Sequence, residues 1–182
     1  MKTLSKVLFA TLFLSTTIAF AQDNNTDNHQ VSIVIPQISL LDIEPEASKD
    51  ISITMVAPSE AGDALANQTD NNLWLNVTSI VASGNTRSIS TSIDAAVTGL
   101  DLKVVAGAYT GAGFGSWGSP ATELTLGTTS QDLVTGIKSG YTFNGDGNGY
   151  RLTYTVAPKG DNTFGDIVAD TENITVTYTL TP

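Results

Sequence analysis

The residues whose types could bind or react lie in two glycine-rich stretches. In the first, Tyr109, Phe114 and Trp117 lie in and beside the sequence TGAGFGSWGSP at 110–120. An exposed aromatic ring on a loop can stack on a sugar or insert into a partner. The three residues are therefore candidate ligand-binding residues of a carbohydrate-binding module. The alternative, which we favour, is that Trp117 folds back to cover one end of a β-fold.

The second stretch, NGDGNG at 144–149, places oxygen-bearing side chains at alternate positions: Asn144, Asp146 and Asn148. With a glycine at the sixth position, it matches the first half of a calcium loop. The twelfth position is Thr155 instead of glutamate, so the bidentate ligand is missing. We favour a hairpin turn in which Asn and Asp tolerate a positive φ. Calcium is the alternative, and no other cofactor is expected.

Catalytic chemistry has little support in the residue types. The single histidine, His29, lies in a polar leader, whereas a Ser-His-Asp triad needs a positioned imidazole. The absence of cysteine excludes thiol chemistry. The 18 Asp and Glu could supply carboxylate pairs, but most of them lie in predicted turns. We therefore expect no enzyme, and an unrecognised hydrolase is the second functional alternative.

The first 21 residues have the layout of a secretory signal peptide. Lys2 and Lys6 precede an apolar run at 7–20, which ends in the small-x-small pattern Ala19-Phe20-Ala21. The run is shorter than the roughly 20 residues that a membrane-spanning helix needs. We therefore expect a cleaved signal peptide at 1–21 and a mature protein without a transmembrane segment. Its expected location is the periplasm, the cell surface or the extracellular space.

Charge restricts the partners of the mature chain. The formal net charge of the whole chain is −10, and removal of the two signal-peptide lysines makes it −12. Such a charge repels nucleic acid phosphates, so nucleic acid binding is excluded. Because an exported chain without cysteine has no disulfide, packing and hydrogen bonds alone must hold the fold.

Alternating apolar residues and frequent turn residues predict an all-β fold. After a flexible polar leader at 22–30, we expect a single domain at 31–182, an Ig-like antiparallel β-sandwich of about nine strands. A closed barrel is the alternative. The strands are predicted at 31–40 with an interruption at Pro36, 51–55, 73–81, 88–93, 100–105, 123–126, 132–137, 140–143, 150–156 and 173–180.

Pairings and burial are also predicted from the pattern. Two hairpins are expected, one joining 73–81 to 88–93 and the other joining 140–143 to 150–156. Trp74 is predicted in the core because its strand is strongly apolar. Pro36 makes 31–40 an edge strand. We favour pairing of this strand within its own domain over donation to another subunit.

Three stretches, LWLNV at 73–77, GYRLTY at 149–154 and ITVTYTL at 174–180, carry a resemblance. The layout is similar to exported bacterial β-sandwich surface domains of the WxL type and of the spore-coat-U or fimbrial-subunit type. It departs from the WxL pattern at Asn76 and Tyr178, and no disulfide is available. The resemblance implies a non-catalytic structural or adhesive protein, such as a fimbrial-like subunit. Its partners would be other surface proteins, itself through strand edges, or glycans.

The export signal can be tested directly. We expect the exported protein to begin at Gln22, and the mass of the intact secreted chain measures this. Ala21→Arg should block cleavage, because the signal peptidase site requires small residues. Recovery of the exported chain with Met1 still attached would contradict the prediction.

Overall fold

The computed structural model describes residues 25–160 and 163–181. The predicted signal peptide at 1–21 and leader residues 22–24 lie outside the described residues. The chain divides into two units, one ending at Val34 and the other beginning at Ile35. The described part of the first unit, 25–34, is exposed and contains no strand. The second unit carries every element of secondary structure in the described ranges.

The second unit consists of nine β-strands and two short 3₁₀ helices in the described part of the chain. The helices are Glu46–Ser48 and Phe164–Asp166. The strands are β1 (Ile38–Glu44), β2 (Gln68–Ile80), β3 (Arg87–Ile93), β4 (Leu100–Ala106), β5 (Phe114–Pro120), β6 (Leu124–Thr125), β7 (Gln131–Tyr141), β8 (Tyr150–Pro158) and β9 (Val176–Leu180).

The prediction of an all-β antiparallel fold with about nine strands is confirmed, since every strand pairing is antiparallel. Within 25–160 and 163–181, no helix is long and apolar enough to cross a membrane.

The sheet follows the order β6-β4-β8-β2-β7-β3-β9, with β1 beside β2 and β5 beside β7. The junction between β2 and β7 has only two residue pairs, Thr78 with Tyr141 and Ser79 with Gly140. Side chains from the strands on both sides of this junction fill one buried core. The sheet therefore folds at the β2–β7 junction into two packed layers, as in a sandwich.

Both predicted hairpins are wrong. β2 pairs with β1, β7 and β8, whereas β3 pairs with β7 and β9, so the turn at 81–86 joins strands that do not pair. The same holds for β7 and β8, which are joined by 142–149. A turn between alternating segments can close a hairpin or cross from one layer to the other. Local sequence does not separate these cases, because the buried face has the same period of two in both.

Several predicted strand bounds also need correction. β1 begins at Ile38, and 31–37 is exposed and outside any strand. The segment 51–55 forms no strand, although Ile51 and Ile53 pack against the core. The glycine-rich loop predicted at 110–120 contains β5, and the segments predicted at 132–137 and 140–143 join in β7.

Trp74 is not a core residue, contrary to the prediction. Leu73, Leu75 and Val77 are buried on the inner face of β2, so the alternation places Trp74 on the outer face. There it is half-buried, and the Arg151 guanidinium lies 5.7 Å from its ring centroid.

Three tyrosines bring hydroxyl groups into the core region. Tyr150 and Tyr154 are buried, and the hydroxyl of Tyr154 is hydrogen-bonded to that of Tyr178. Burial raises the pKa of Tyr154 to about 12, because a phenolate loses hydration there. Burial also raises the pKa values of Tyr150 and Tyr178.

Alkaline pH should therefore unfold the protein. A tyrosine with a raised native pKa contributes stability that is complete below its unfolded pKa of about 10 and is lost above it. Between pH 10 and 12, we expect the free energy of unfolding to fall by about 1.4 kcal/mol per pH unit for Tyr154 alone. Urea unfolding across this range measures the slope, and Tyr154→Phe should reduce it. An unchanged slope in Tyr154→Phe would contradict this assignment.

Candidate functional site

The junction between β2 and β7 positions the candidate site. The N–H of Val77 donates to Oγ1 of Thr142 at 2.9 Å, and the N–H of Thr142 donates to the carbonyl of Val77 at 2.9 Å. This reciprocal pair continues the hydrogen bonding of β2 where its pairing with β8 gives way to pairing with β7. Gly149 approaches β2 so closely that a Cβ there would lie 2.0 Å from the carbonyl oxygen of Leu75. The connection 142–149 is thus held against β2 at both of its ends.

A row of side chains crosses four neighbouring strands at this junction. Leu40 of β1 is opposite Thr78 of β2, Thr78 is opposite Tyr141 of β7, and Tyr141 is opposite Phe114 of β5. Residues opposite each other in antiparallel strands point to the same face. Phe114 is 72% exposed and Leu40 is 63% exposed. The outer face therefore presents apolar and aromatic groups to solvent.

Phe143 extends this row from a strained backbone. Its φ is 77°, the only positive φ of a non-glycine residue within the described ranges. Such a conformation costs about 1–3 kcal/mol and persists only when its surroundings enforce it. The Thr142 hydroxyl donates to the carbonyl of Phe143 at 2.9 Å, which helps to hold that conformation. The ring centroid of Tyr141 lies 6.0 Å from that of Phe143 and 6.2 Å from that of Phe114.

An open cleft of about 480 Å³ runs beside these rings. Tyr141 and Phe143 form its aromatic side, and Leu40 adds an aliphatic group. Its polar side chains are those of Asp42, Thr78 and Asn144, and those of Asn76 and Thr142 at the junction of β2 with β7. Asn76 is buried, and its Nδ2 donates to the carbonyl of Gly145 at 3.1 Å. Aromatic surface with a few polar groups is the usual composition of a ligand site.

The predicted aromatic site of Tyr109, Phe114 and Trp117 is divided by the structure. The rings of Tyr109 and Trp117 stack with centroids 4.3 Å apart, and both are half-buried against the core. The hydroxyl of Tyr150 donates to the carbonyl of Trp117. Phe114 contacts Tyr141 instead. Trp117 thus covers the sandwich, and Phe114 belongs to the outer aromatic row.

The candidate calcium residues lie on the surface turn between β7 and β8. Nδ2 of Asn148 donates to the backbone carbonyl of Asn144 at 3.1 Å, and Oδ1 of Asn148 accepts from the N–H of Ala112 at 3.4 Å. Asp146 is exposed. In the part of the chain that the structure describes, no group of three or more His, Cys, Asp or Glu could hold a metal ion. The calcium site remains a prediction.

Sequence reasoning missed Tyr141 and Phe143 as site residues. The sequence predicts both residues in one flank of a hairpin, and this pattern does not indicate what lies beside them. Their proximity to Phe114 and Leu40 depends on which strands pair and in which register. His29, the histidine considered for catalysis, is exposed in the first unit.

Comparison of the chain with protein-family models, with curated proteins and with solved structures gives no match. The resemblance to WxL-type and spore-coat-U or fimbrial domains therefore stays a prediction.

Substitution of Trp117 should destabilise the protein more than substitution of Trp74, although the sequence predicts Trp74 in the core. We expect Trp117→Ala to lower the free energy of unfolding by about 3 kcal/mol, because it leaves a cavity beside Tyr109. Trp74→Ala should lower it by about 1 kcal/mol, since it removes mainly surface packing and a cation–π contact. Urea unfolding followed by circular dichroism measures both values. Equal losses would contradict the role of Trp117 as a cover over the core.

Proposed function

We propose that the protein is an exported, non-catalytic structural or adhesive protein of the cell surface or extracellular space. In this proposal it is a fimbrial-like subunit that associates with further copies through strand edges. The observation that carries the proposal is the unpaired apolar segment at 31–35, called the donor segment from here on.

The donor segment has the composition of a strand but lies in no sheet. Its four large aliphatic residues are 68–87% exposed: Val31, Ile33, Val34 and Ile35. Its backbone makes no hydrogen bond within the described ranges. Burial of each such side chain contributes about 1.5–3 kcal/mol. Because alternate residues share one face, Val31, Ile33 and Ile35 can be buried together when the segment joins a sheet.

β9 has the edge best suited to receive this segment. It ends the sheet order and pairs only with β3 in the described part of the chain. Natural edge strands are often protected by charged residues, proline or short length. β6 has two residues, β5 ends at Pro120, and β1 carries Asp42 and Glu44. The sequence of β9, VTYTL, contains neither charge nor proline.

The core beside β9 is also incompletely covered. Val176, Tyr178 and Leu180 are half-buried, whereas the inner residues of β2 and β8 are buried. Ile51 and Ile53 pack against the core from a segment that belongs to no strand. A strand added along β9 would extend the hydrogen-bonded ladder and cover more of this apolar surface.

The relation between the two surfaces favours a polymer. The donor segment of one copy would pair with β9 of the next, so each copy would use two different surfaces. Such heterologous contacts form open chains unless the rotation closes a ring. A fibre or surface layer is consistent with the expected export and with the high negative charge, which keeps single copies soluble.

Two alternatives from the sequence have less support. A carbohydrate-binding module at Tyr109 and Trp117 would need accessible rings, but these rings stack on each other and pack against the core. An unrecognised hydrolase would need a set of catalytic groups, and the residues at the cleft suit binding better than catalysis.

A single charge in the donor segment tests the proposal. We expect Ile33→Asp to weaken self-association of the mature chain at least ten-fold, because a carboxylate would be buried against β9. Ser32→Asp adds the same charge on the opposite face and is the matched control. Sedimentation velocity over a range of concentrations measures association. Both variants should keep the thermal midpoint of the monomer, since Ile33 is exposed there.

Mixing two defective copies tests the pairing between the surfaces. Ile33→Asp keeps an intact β9, and Val176→Asp places a charge on the half-buried face of β9 but keeps an intact donor segment. Neither variant should polymerise alone, and a mixture should give dimers of one copy of each. A wild-type chain that stays monomeric at every concentration, or a mixture without dimers, would contradict the proposal.

A further inference from the structure

We propose that the outer face of β1, β2 and β7 binds a neutral carbohydrate at the cleft beside Tyr141 and Phe143. This inference is independent of strand addition, because it uses a different surface and different residues. We call the cleft and the adjoining ring of Phe114 the aromatic cleft.

The aromatic rings provide the first part of the argument. Phe114, Tyr141 and Phe143 lie side by side with centroid spacings of 6.2 and 6.0 Å, and all three rings are exposed. A contiguous exposed aromatic surface marks an interaction site more strongly than isolated apolar residues do. The apolar C–H face of a sugar ring stacks on such surfaces, because the faces of aromatic rings are electron-rich.

The polar groups of the cleft can bind the hydroxyl groups of a sugar. Asp42, Thr78 and Asn144 line the same cleft as the rings. Oδ1 of Asp42 accepts from the N–H of Ile43 at 2.9 Å, which leaves Oδ2 able to accept from a ligand. The side chains of Thr78 and Asn144 make no hydrogen bond within the described residues. Together they supply donors and acceptors for hydroxyl groups around a ring.

The backbone of Phe143 provides a second, independent observation. Glycine adopts a φ of 77° without strain, yet this position carries a large apolar side chain that is 53% exposed. The strain brings no burial of the ring in return. Strained residues cluster at ligand sites, where the strain fixes the geometry of a contact. Thr142 is buried beneath Phe143 and bonded to Val77, so the ring is presented from a fixed support.

Charge identifies the class of sugar. Among the described residues, Asp42 lines the cleft and no lysine or arginine does, so an anionic glycan would meet repulsion there. The negative charge of the whole chain acts in the same direction. A neutral hexose polymer avoids both costs. The donor segment of a second copy is a poorer occupant, because its aliphatic side chains would leave Asp42, Thr78 and Asn144 desolvated without partners.

Affinity electrophoresis of the mature chain tests this inference. The gels would contain a β-glucan, an α-mannan or a galactan as neutral probes, and polygalacturonate as the anionic control. We expect retardation by at least one neutral polysaccharide and none by polygalacturonate. Phe143→Gly should weaken the retardation about ten-fold, because it removes one stacking ring. It should not lower the thermal midpoint, since glycine is unstrained at a positive φ.

Two further variants complete the test. Tyr141→Ala should weaken the retardation as Phe143→Gly does. Phe164→Ala removes an exposed ring outside the cleft and should leave the retardation unchanged. Absence of retardation by all three neutral probes would overturn the proposal, as would equal retardation of wild type and Phe143→Gly. Loss of self-association in Phe143→Gly without any effect on retardation would instead assign this surface to contacts between copies.

Discussion

The reciprocal hydrogen bonds between Val77 and Thr142 are the interaction on which the rest of the structure depends. They lie where β2 loses β8 as its neighbour and gains β7. Where a strand changes its neighbour, some of its buried backbone N–H and C=O groups lose their hydrogen-bond partners unless another group replaces them. Thr142 provides that group with both its backbone and its hydroxyl. The sheet can therefore fold into two layers at this junction while β2 continues through it.

The same junction determines what the outer face presents. Because Thr142 is held inward on β2, its neighbours Tyr141 and Phe143 are directed to solvent. The register then places Tyr141 between Thr78 and Phe114, and the aromatic cleft follows from these pairings. The connection that follows β7 also carries Phe143, whose ring is 53% exposed.

Apart from the aromatic cleft, exposed apolar residues are concentrated in the donor segment. The free edge of β9, which has neither charge nor proline, could pair with this segment. A core that holds without disulfides needs extensive packing, and β2, β3, β7 and β8 supply it. The side near β9 is less completely covered. The proposed association through the donor segment and the proposed carbohydrate binding at the aromatic cleft would use separate surfaces, so a polymer of this chain would present many copies of the cleft. Repetition of a weak site along a polymer raises its avidity without any new contact.

The sequence by itself determined the class of fold, because alternation with a period of two and frequent turn residues are local properties. It also indicated Trp117 as a covering residue and located most strands to within a few positions. Only the tertiary structure decided whether a turn closes a hairpin or crosses between layers, and both predicted hairpins were wrong for this reason. It likewise placed Trp74 outside and brought Phe114, Tyr141 and Phe143 together. These outcomes depend on register between strands distant in sequence, and a pattern read along one segment contains no information about the neighbour with which it pairs.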